Sequence, residues 1–549
     1  MSNSTEKRNI LVTSALPYAN APLHLGHILE HTQTDIWVRY QKLIGNNCTY
    51  VCADDAHGTP IMLKAEELNK KPEDLIEEIY TNHTNTFNLY NISHDNYHST
   101  HSEENRILSE RIFNALNEKG LIVVKTIEQL YDTSRNMFLS DRYVKGKCPK
   151  CFAEDQYGDN CEVCSATYEA IELIEPVSVL SDTSPVIKVS EHLFFKLSEL
   201  KPEIISWLED SKIQKPVQNK LSEWLDEDLR DWDISRDSPY FGFEIPGYKD
   251  KFFYVWLDAP IGYLASHYNY LKKQNSNEFE NFWNPESNSE IYHFIGKDIM
   301  YFHTLFFPVM LSNADFKKPS GVFVHGFLTL DGEKMSKSRG NFISAEDFAM
   351  TLDPEYLRYY FASKLSTGVD DIDLSLEDLK QKVNSDLVNK LVNIASRSAN
   401  FLKKHYNNEL SKEIEQGLVD DFISASNQVS IHYENLELNK AMKEIMTLAD
   451  KANQYVDKME PWILVKDEKN LELVHKICST ALNLFRILII MIEPVTPNLS
   501  KKSFYFLNEE PCWDDIKLPL LEHKINSFEP LLTRIEDEQI NQLTDLKNV

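Results

Sequence analysis

The sequence lacks a surplus of basic residues. It contains 57 lysines and arginines against 85 aspartates and glutamates, for a formal net charge of −28. Nucleic-acid-binding proteins usually carry a basic surplus, so the charge alone argues against that class. It does not exclude it, because phosphate attraction is local and a basic groove can lie on an acidic protein.

Targeting and membrane-spanning segments are also lacking. The apolar run near the start is short and leads into a Pro-Tyr-Ala-Asn turn, unlike a signal peptide. The most apolar stretch, residues 481–492, contains Asn483 and Arg486 and is too short to cross a bilayer. We predict a buried helix there, and a cytoplasmic protein without membrane contact.

Repeats, low-complexity tracts and long Gly/Ser linkers are lacking as well. A chain of 549 residues is too long for one hydrophobic core. With 42% hydrophobic and 26% charged residues, it has an ordinary globular composition. We therefore expect at least three structural units that pack directly against each other.

The first 60 residues read as the start of an α/β nucleotide-binding fold. Residues 10–14 predict a strand, 26–43 a helix, and 48–53 a second strand that ends on Asp54 and Asp55. Ligands gather at the carboxyl ends of strands in such sheets. Further strands are predicted at 252–257, 292–295 and 322–329, and a helix bundle after residue 374.

Four of the eight cysteines form a C-x2-C-x9-C-x2-C array: Cys148, Cys151, Cys161 and Cys164. In a large chain without secretion signals this spacing indicates a metal site rather than disulfides. Four thiolates suit tetrahedral Zn²⁺, and a fully protein-filled coordination sphere indicates a structural role. An iron–sulfur or redox site is the alternative.

Two motifs point to bound phosphates. His24-Leu25-Gly26-His27 lies between a predicted strand and helix, where the helix N-terminus attracts anions. Lys334-Met335-Ser336-Lys337-Ser338 follows about 310 residues later and places two ammonium groups three positions apart. The first motif alone is weak, and a solvated turn would explain it equally well.

Together the motifs resemble the HIGH and KMSKS signatures of class I aminoacyl-tRNA synthetases, with Leu25 in place of Ile. Four further stretches resemble methionyl-tRNA synthetases over nearly the whole chain, in the bacterial-type form with a single four-cysteine zinc knuckle. They are LPYAN at 16–20, CADDAHGTP at 52–60, WLDAPIGY at 256–263 and GKDIMYFH at 296–303.

The resemblance implies a Rossmann-type α/β catalytic domain that is split by a zinc-binding insertion and followed by an all-α helix-bundle anticodon-binding domain. The expected boundaries are 1–125 and 231–330 for the catalytic halves, 126–230 for the insertion, 331–385 for the KMSKS loop and stem-contact region, and 386–549 for the bundle.

The resemblance also implies site residues. The implied catalytic residues are His24, His27, Lys334 and Lys337. The implied ATP-binding residues are these four together with Gly26 and Ser336. An apolar, aromatic slot suits a polarizable thioether. The implied methionine-binding residues are Leu16, Tyr18, Asp55, Trp256, Ala259, Pro260, Tyr263, Ile299 and His303. The sequence alone leaves Asp54 and Asp55 open as the ammonium partner, and the resemblance favours Asp55.

In the helical region, Asn393 and Arg397 share a helix face, and Trp462 follows the helix-breaking Pro461. Flat rings and guanidinium groups suit unstacked RNA bases. An ordinary solvated face with a packed tryptophan is the alternative. The resemblance assigns all three residues to the anticodon.

The expected reaction is activation of L-methionine by ATP and its transfer to the terminal adenosine of methionine tRNA, initiator and elongator. One structural Zn²⁺ per chain is expected, and Mg²⁺ is expected to accompany ATP. The protein is expected to be a monomer. Three rivals remain: a synthetase for cysteine, leucine, isoleucine or valine; an adenylyltransferase without a tRNA role; and an inactive tRNA-binding relative.

Overall fold

A six-stranded parallel sheet forms the centre of the N-terminal part. The computed structural model describes residues 7–335 and 341–547. In spatial order the strands are Lys212–Ile213, Gly321–His325, Glu290–Gly296, Asn9–Ser14, Asn47–Asp54 and Asn96–Ser99. Residues 10–14 are all buried, as expected for a parallel strand that is covered on both faces.

The strand Asn9–Ser14 lies between its sequence neighbour Asn47–Asp54 and the distant strand Glu290–Gly296. Segments from before and after the predicted insertion therefore meet at the middle of one sheet. Because the strand order reverses at this point, a crevice opens at the carboxyl ends of the two central strands. The histidine motif and Asp54–Asp55 both follow strands that end at this edge.

The helices of this region follow the predicted α/β pattern, and the first one begins one residue before its predicted start. In chain order they are Leu25–Leu43, Thr59–Glu67, Pro72–Leu89, Glu103–Glu118, Val255–Lys273, Phe279–Trp283, a π-helix at Phe302–Phe306, and Phe307–Asn313.

The predicted insertion is built on a long antiparallel ribbon of Ile122–Asp132 and Val186–Phe195. The ribbon is extended by Met137–Phe138 and Trp232–Asp233. The cysteines lie on a small three-stranded sheet of Val144–Lys147, Gln156–Tyr157 and Ile174–Ser178. Part of the range 126–230 belongs to the catalytic core, since Lys212–Ile213, flanked by helices Lys201–Asp210 and Lys215–Asp226, pairs with the central sheet.

Two strand predictions were wrong in extent. Of 252–257, only residues 252–253 are in a strand, Lys251–Phe253, which pairs with Ser235–Asp237; the helix Val255–Lys273 begins after Tyr254. Aromatic and β-branched residues favour a strand locally, but the three-to-four-residue spacing of buried Leu257, Ile261 and Leu264 decides for a helix.

The predicted strand 322–329 is divided in two. Gly321–His325 stays in the central sheet, whereas Leu328–Leu330 pairs with Ile372–Leu374 and with Glu333–Lys334. The chain turns at Gly326, where an added Cβ would lie 2.0 Å from the carbonyl oxygen of Asp370. Only glycine permits this approach of two backbones.

The C-terminal part is helical, as predicted. Its helices are Ala345–Thr351, Pro354–Lys364, Leu376–Lys382, a π-helix at Val383–Val392, Asn393–His405, Gln416–Glu434, Leu438–Met459, Pro461–Leu464, Leu471–Ile492, Pro497–Leu507 and Asp537–Lys547. Among the described residues, the segment Glu468–Ile492 is long and apolar enough to cross a membrane, but 83% of its apolar window is buried in the fold. It is the core helix of the bundle.

The helical part shares its core with the central sheet. Tyr40 of the first helix stacks on Tyr433 with ring centroids 5.1 Å apart. Arg358 and Asp35, both fully buried, form an ion pair of 2.7 Å. Packing of this kind explains why no flexible linker separates the two parts.

Candidate active site

The two histidines of the first motif cap the first helix reciprocally. Nδ1 of His24 accepts a hydrogen bond from the backbone N–H of Gly26 at 3.1 Å, and Nδ1 of His27 accepts one from the N–H of His24 at 3.2 Å. The rings stack with centroids 3.8 Å apart. Because both Nδ1 atoms accept, the neutral rings carry their protons on Nε2, which can donate to an anion.

Burial, together with the neighbouring His24, lowers the pKa of His27 well below its ordinary value. His27 is therefore a neutral hydrogen-bond donor at physiological pH. Gly26 leaves space for the His24 ring, since an added Cβ would lie 2.9 Å from its Cε1 and Nδ1 and would displace the ring. The motif presents N–H groups at a helix N-terminus, the ordinary environment for a phosphate.

The second motif is described only at its flanks. The backbone of Lys334 lies in the strand Glu333–Lys334, and Met335 lines the same cavity as His24. After the gap, Phe342 lies 6.4 Å from the His24 ring, and Ser344 forms a bridge with His24. Ser336 and Lys337 lie outside the described residues. The described residues on both sides of the lysine motif therefore lie beside the histidine motif.

One cavity of about 920 Å³ opens at the carboxyl edge of the central sheet. Its lining brings together residues from both halves of the catalytic domain. Of the predicted residues, it includes Leu16, Tyr18, His24, Gly26, His27, Asp55, Trp256, Ala259, Pro260, Tyr263, Ile299 and His303. All nine residues predicted for methionine thus lie in the same cavity as the histidine motif.

The structure separates the roles of the two adjacent aspartates. Asp54 is buried and engaged by His83 at 2.7 Å and by the hydroxyl of Tyr97. Asp55 lines the cavity, and its buried Oδ1 has no hydrogen-bond partner. Burial, reinforced by nearby Asp258, raises the pKa of Asp55 well above its ordinary value. A cation in the cavity would satisfy this carboxylate.

The apolar end of the cavity has one fixed polar element. Nδ1 of His303 donates to the carbonyl of Ile299 at 3.1 Å, so its Nε2 accepts from the hydroxyl of Tyr263 at 2.9 Å. Burial lowers the pKa of His303 to about 4, which keeps the ring neutral. Trp256 stacks on Phe302 with centroids 4.3 Å apart.

Several cavity residues were missed by the sequence analysis, among them Glu30, Asp298 and His325. Nε2 of His325 lies 3.1 Å from Oε2 of Glu30, and Nδ1 donates to the carbonyl of Gly326 at 2.7 Å. Burial works against a charge here, but the hydrogen bond to Glu30 raises the pKa of His325. Glu30 follows His27 by three positions, and this helical spacing could have identified it.

The four cysteine sulfurs converge within 4.8 Å of one another. Sγ of Cys148 lies 3.8 Å from that of Cys164, and Sγ of Cys151 lies 3.5 Å from that of Cys161. Tetrahedral Zn–S bonds of about 2.3 Å place sulfurs roughly 3.8 Å apart. The spacing can hold a metal ion of this size.

The two cysteine pairs form equivalent turns. Backbone N–H groups of Cys151 and Cys164 each donate to the sulfur of the first cysteine of their pair, Cys148 and Cys161, at 3.4 Å. Such bonds stabilise thiolate charge, since they favour the ionised ligand.

The three residues predicted to contact RNA lie together on the helical part. The guanidinium of Arg397 lies 4.8 Å above the Trp462 ring and pairs with Asp457 at 2.5 Å. Asn393 lies one turn before Arg397 on the same helix. The preceding helix ends at Met459, as predicted from Pro461, and Trp462 is 36% exposed.

Comparison with known proteins agrees with this geometry. Residues 10–399 match the family model of class I tRNA synthetases of the methionine type, and residues 407–545 match the anticodon binding domain of methionyl tRNA ligase. The split parallel sheet with its two phosphate motifs defines a class I aminoacyl-tRNA synthetase. Within that class, the chain belongs to the methionyl family and is a methionine–tRNA ligase.

Solved structures share the whole fold. The Mycobacterium tuberculosis methionyl-tRNA synthetase in complex with methionyl-adenylate is 23% identical, with a TM-score of 0.79 over 95% of this chain and 99% of that chain. Its apo form is 21% identical, with a TM-score of 0.74 over 97% and 100%. The resemblance found in the sequence is confirmed, and the rival synthetases and the tRNA-independent enzyme are set aside.

Proposed function

We propose that the cavity at the carboxyl edge of the sheet holds methionine and ATP side by side for adenylate formation. The observation that carries this proposal is the meeting of the apolar methionine residues, the unpartnered Oδ1 of Asp55 and the two capping histidines in one cavity. The carboxylate suits the ammonium group of methionine, the apolar surface suits its side chain, and the histidine N–H groups suit the phosphates of ATP.

Methionine is held at both ends. Asp55 pairs with the substrate ammonium group, which relieves the buried charge of the carboxylate. The side chain lies among Leu16, Tyr18, Trp256, Ala259, Pro260, Tyr263 and Ile299, with the neutral His303–Tyr263 pair near it. Because His303 is neutral, it adds no charge to the thioether site.

In the chemical step, a carboxylate oxygen of methionine attacks the α-phosphorus of ATP. A new P–O bond forms, the bond to the bridging α–β oxygen breaks, and pyrophosphate leaves with the electron pair. His24 and His27 donate N–H bonds to phosphate oxygens at the helix start, and Gly26 permits the approach. Lys334 and Lys337 neutralise charge that develops on the departing phosphates, and the hydroxyl of Ser336 donates a hydrogen bond to them. Mg²⁺ enters as part of the nucleotide complex, and we assign it no protein ligand.

In the second step, the 2′-hydroxyl of the terminal tRNA adenosine takes the methionyl group and AMP leaves. The tRNA is selected at a distance by Asn393, Arg397 and Trp462, whose flat groups offer stacking to anticodon bases. We assign both initiator and elongator methionine tRNAs to this surface.

Zinc is the metal that we assign to the cysteine cluster. The sulfur spacing supports it, and all four positions are filled by protein, which suits a structural ion. Metal analysis should give about one zinc per chain, and Cys148→Ser should abolish it. A folded protein that contains no metal would contradict the assignment.

Two assays test the function. Charging of purified methionine tRNA with a panel of amino acids should proceed with methionine, and failure with methionine would refute the proposed substrate. Lys337→Ala should lower ATP–pyrophosphate exchange by roughly 100-fold or more, since it removes a charge that acts in the transition state. Methionine affinity, measured by equilibrium binding, should change little; an equal loss would show that the role of Lys337 is misassigned.

A further inference from the structure

His83 is a buried imidazole that belongs to none of the predicted motifs. It lies on the helix Pro72–Leu89 and has no exposed surface. Its Nδ1 lies 2.7 Å from Oδ1 of Asp54, and its Nε2 lies 2.8 Å from the carbonyl oxygen of Ala21. The ring therefore bridges the end of one central strand and the loop that precedes the histidine motif.

The protonation state of this ring follows from its partners. A carbonyl oxygen and an ionised carboxylate only accept hydrogen bonds, so each ring nitrogen of His83 must donate. Burial alone would lower the pKa of His83, but the hydrogen bond and charge of Asp54 raise it above its ordinary value. The hydroxyl of Tyr97 also donates to Asp54.

The two partners of His83 stand next to the two substrate-binding regions. Asp54 precedes Asp55, which we assign to the methionine ammonium. Ala21 lies three residues before His24, which we assign to the ATP phosphates. The loop that leads to His24 is anchored at its start by two backbone hydrogen bonds of 2.8 Å: the N–H of Asp55 donates to the carbonyl of Pro17, and the N–H of Ala19 donates to the carbonyl of Asp55.

The same helix also holds the second side of the ATP region. Asn82 donates to Glu346 at 2.7 Å, and the hydroxyl of Tyr90, just after the helix, donates to the carbonyl of Ala345 at 2.7 Å. The N–H of Ala345 in turn donates to the carbonyl of Leu23 at 3.2 Å. The chain after the lysine motif and the loop before His24 are thus fastened to one helix.

We propose that His83 is a positioning residue for adenylate formation: through its bond to the Ala21 carbonyl it ties the loop before His24 to the helix Pro72–Leu89, and so orients the ATP phosphates. It does this without touching either substrate. The inference rests on the proposed function, because the loop matters only if His24 contacts ATP. It predicts that loss of the Ala21 bond harms ATP use more than methionine use.

Two near-isosteric substitutions separate the two bonds of His83. In His83→Gln the amide nitrogen takes the place of Nε2 and keeps the bond to Ala21, whereas in His83→Asn it takes the place of Nδ1 and keeps only the bond to Asp54. Each variant loses one buried hydrogen bond, and the melting temperature should fall further in His83→Gln, because the bond lost there is to a carboxylate. A purely structural role would therefore lower the activity of His83→Gln more than that of His83→Asn.

ATP–pyrophosphate exchange with full-length protein is the assay, with kcat and KM measured for ATP and for methionine separately. For His83→Asn we expect kcat/KM for ATP to fall roughly 10- to 100-fold, the effect of a small displacement of an aligned group. The KM for methionine should stay within about twofold, since Asp55 is untouched. His83→Gln should recover most of the ATP activity.

Thr81→Ala on the same helix serves as a control, since it removes only an exposed hydrogen bond to the carbonyl of Glu77 and leaves both His83 bonds in place. Equal ATP kinetics in the Asn and Gln variants, or equal losses for ATP and methionine, would overturn the proposal. If His83→Asn does not fold, unimpaired ATP kinetics in a His83→Leu variant, which lacks both bonds, would overturn it as well. Absence of methionine-dependent exchange in the unmodified protein would instead refute the proposed function.

Discussion

Replacing Asp55 with asparagine should weaken methionine binding and, at the same time, stabilise the free enzyme. In the free protein Oδ1 of Asp55 is buried without a hydrogen-bond partner, and Asp258 adds a second negative charge nearby. Asparagine has almost the same shape but carries no charge. In the free enzyme the substitution therefore removes an unfavourable buried charge. In the methionine complex it removes the partner of the substrate ammonium group.

The magnitudes follow from these two situations. A buried polar group left without a partner costs about 1–3 kcal/mol, so the free energy of unfolding should rise by about that amount. An ammonium group buried without its carboxylate costs about 3–5 kcal/mol. At 1.36 kcal/mol per factor of ten, kcat/KM for methionine should fall roughly 150- to 5000-fold, and KM for ATP should change little.

The stability gain also has a defined pH dependence. Because the folded state raises the pKa of Asp55, the ionised carboxylate is disfavoured in the fold, and this cost grows as pH rises above the unfolded value of about 3.8. The gain in Asp55→Asn should be largest at neutral pH and vanish below about pH 4.

Adjacent Asp54 supplies a matched control. Its carboxylate is bonded to His83 and Tyr97, so Asp54→Asn should destabilise the protein where Asp55→Asn stabilises it. Urea unfolding and ATP–pyrophosphate exchange measure the two effects. Loss of stability in Asp55→Asn together with unchanged methionine kinetics would refute the reasoning.

Three further perturbations test other parts of the structure. Gly26→Ala should lower exchange roughly 10- to 100-fold by displacing the His24 ring, while alanine preserves the helix; an unchanged rate would show that the ring has room to move. Trp462→Ala should reduce tRNA charging at limiting tRNA roughly 10- to 100-fold through lost stacking but leave pyrophosphate exchange intact, and a parallel loss in both assays would contradict an anticodon role. Burial lowers the pKa of His267 to about 3, so the stability due to its neutral state is present above pH 6.5 and is lost as pH falls. His267→Asn keeps an acceptor for the Trp283 indole but does not titrate in this range. Between pH 8 and pH 5, its free energy of unfolding should therefore fall by about 2 kcal/mol less than that of the unmodified protein. The same pH dependence of unfolding free energy in both proteins would refute this assignment.

Much of the site was accessible from residue patterns. The histidine motif, the cysteine spacing and the aspartate pair each carry their chemistry within a few residues, and local turns keep those residues together. The strand predicted at 252–257 failed for the opposite reason. Its composition favours a strand, but burial of Leu257, Ile261 and Leu264 against the fold determines a helix.

The choice between Asp54 and Asp55 also depends on packing that residue patterns do not show. Adjacent residues of a strand point to opposite sides of the sheet, and the sequence does not tell which side meets the cavity. His83 and Tyr97 engage Asp54, whereas Asp55 lines the cavity. His325 was missed because its partner Glu30 lies 295 positions away in the sequence.

The sequence by itself determined the class of protein, the presence of ATP-binding motifs and a metal-binding cysteine array, because these depend on residue types at short spacing. Only the tertiary structure decided that Leu16, Trp256 and His303 share a cavity with His24, and that His83 bridges Asp54 and Ala21. The parallel sheet is the physical reason, since it places strands from before and after the insertion side by side and gathers their carboxyl ends at one edge.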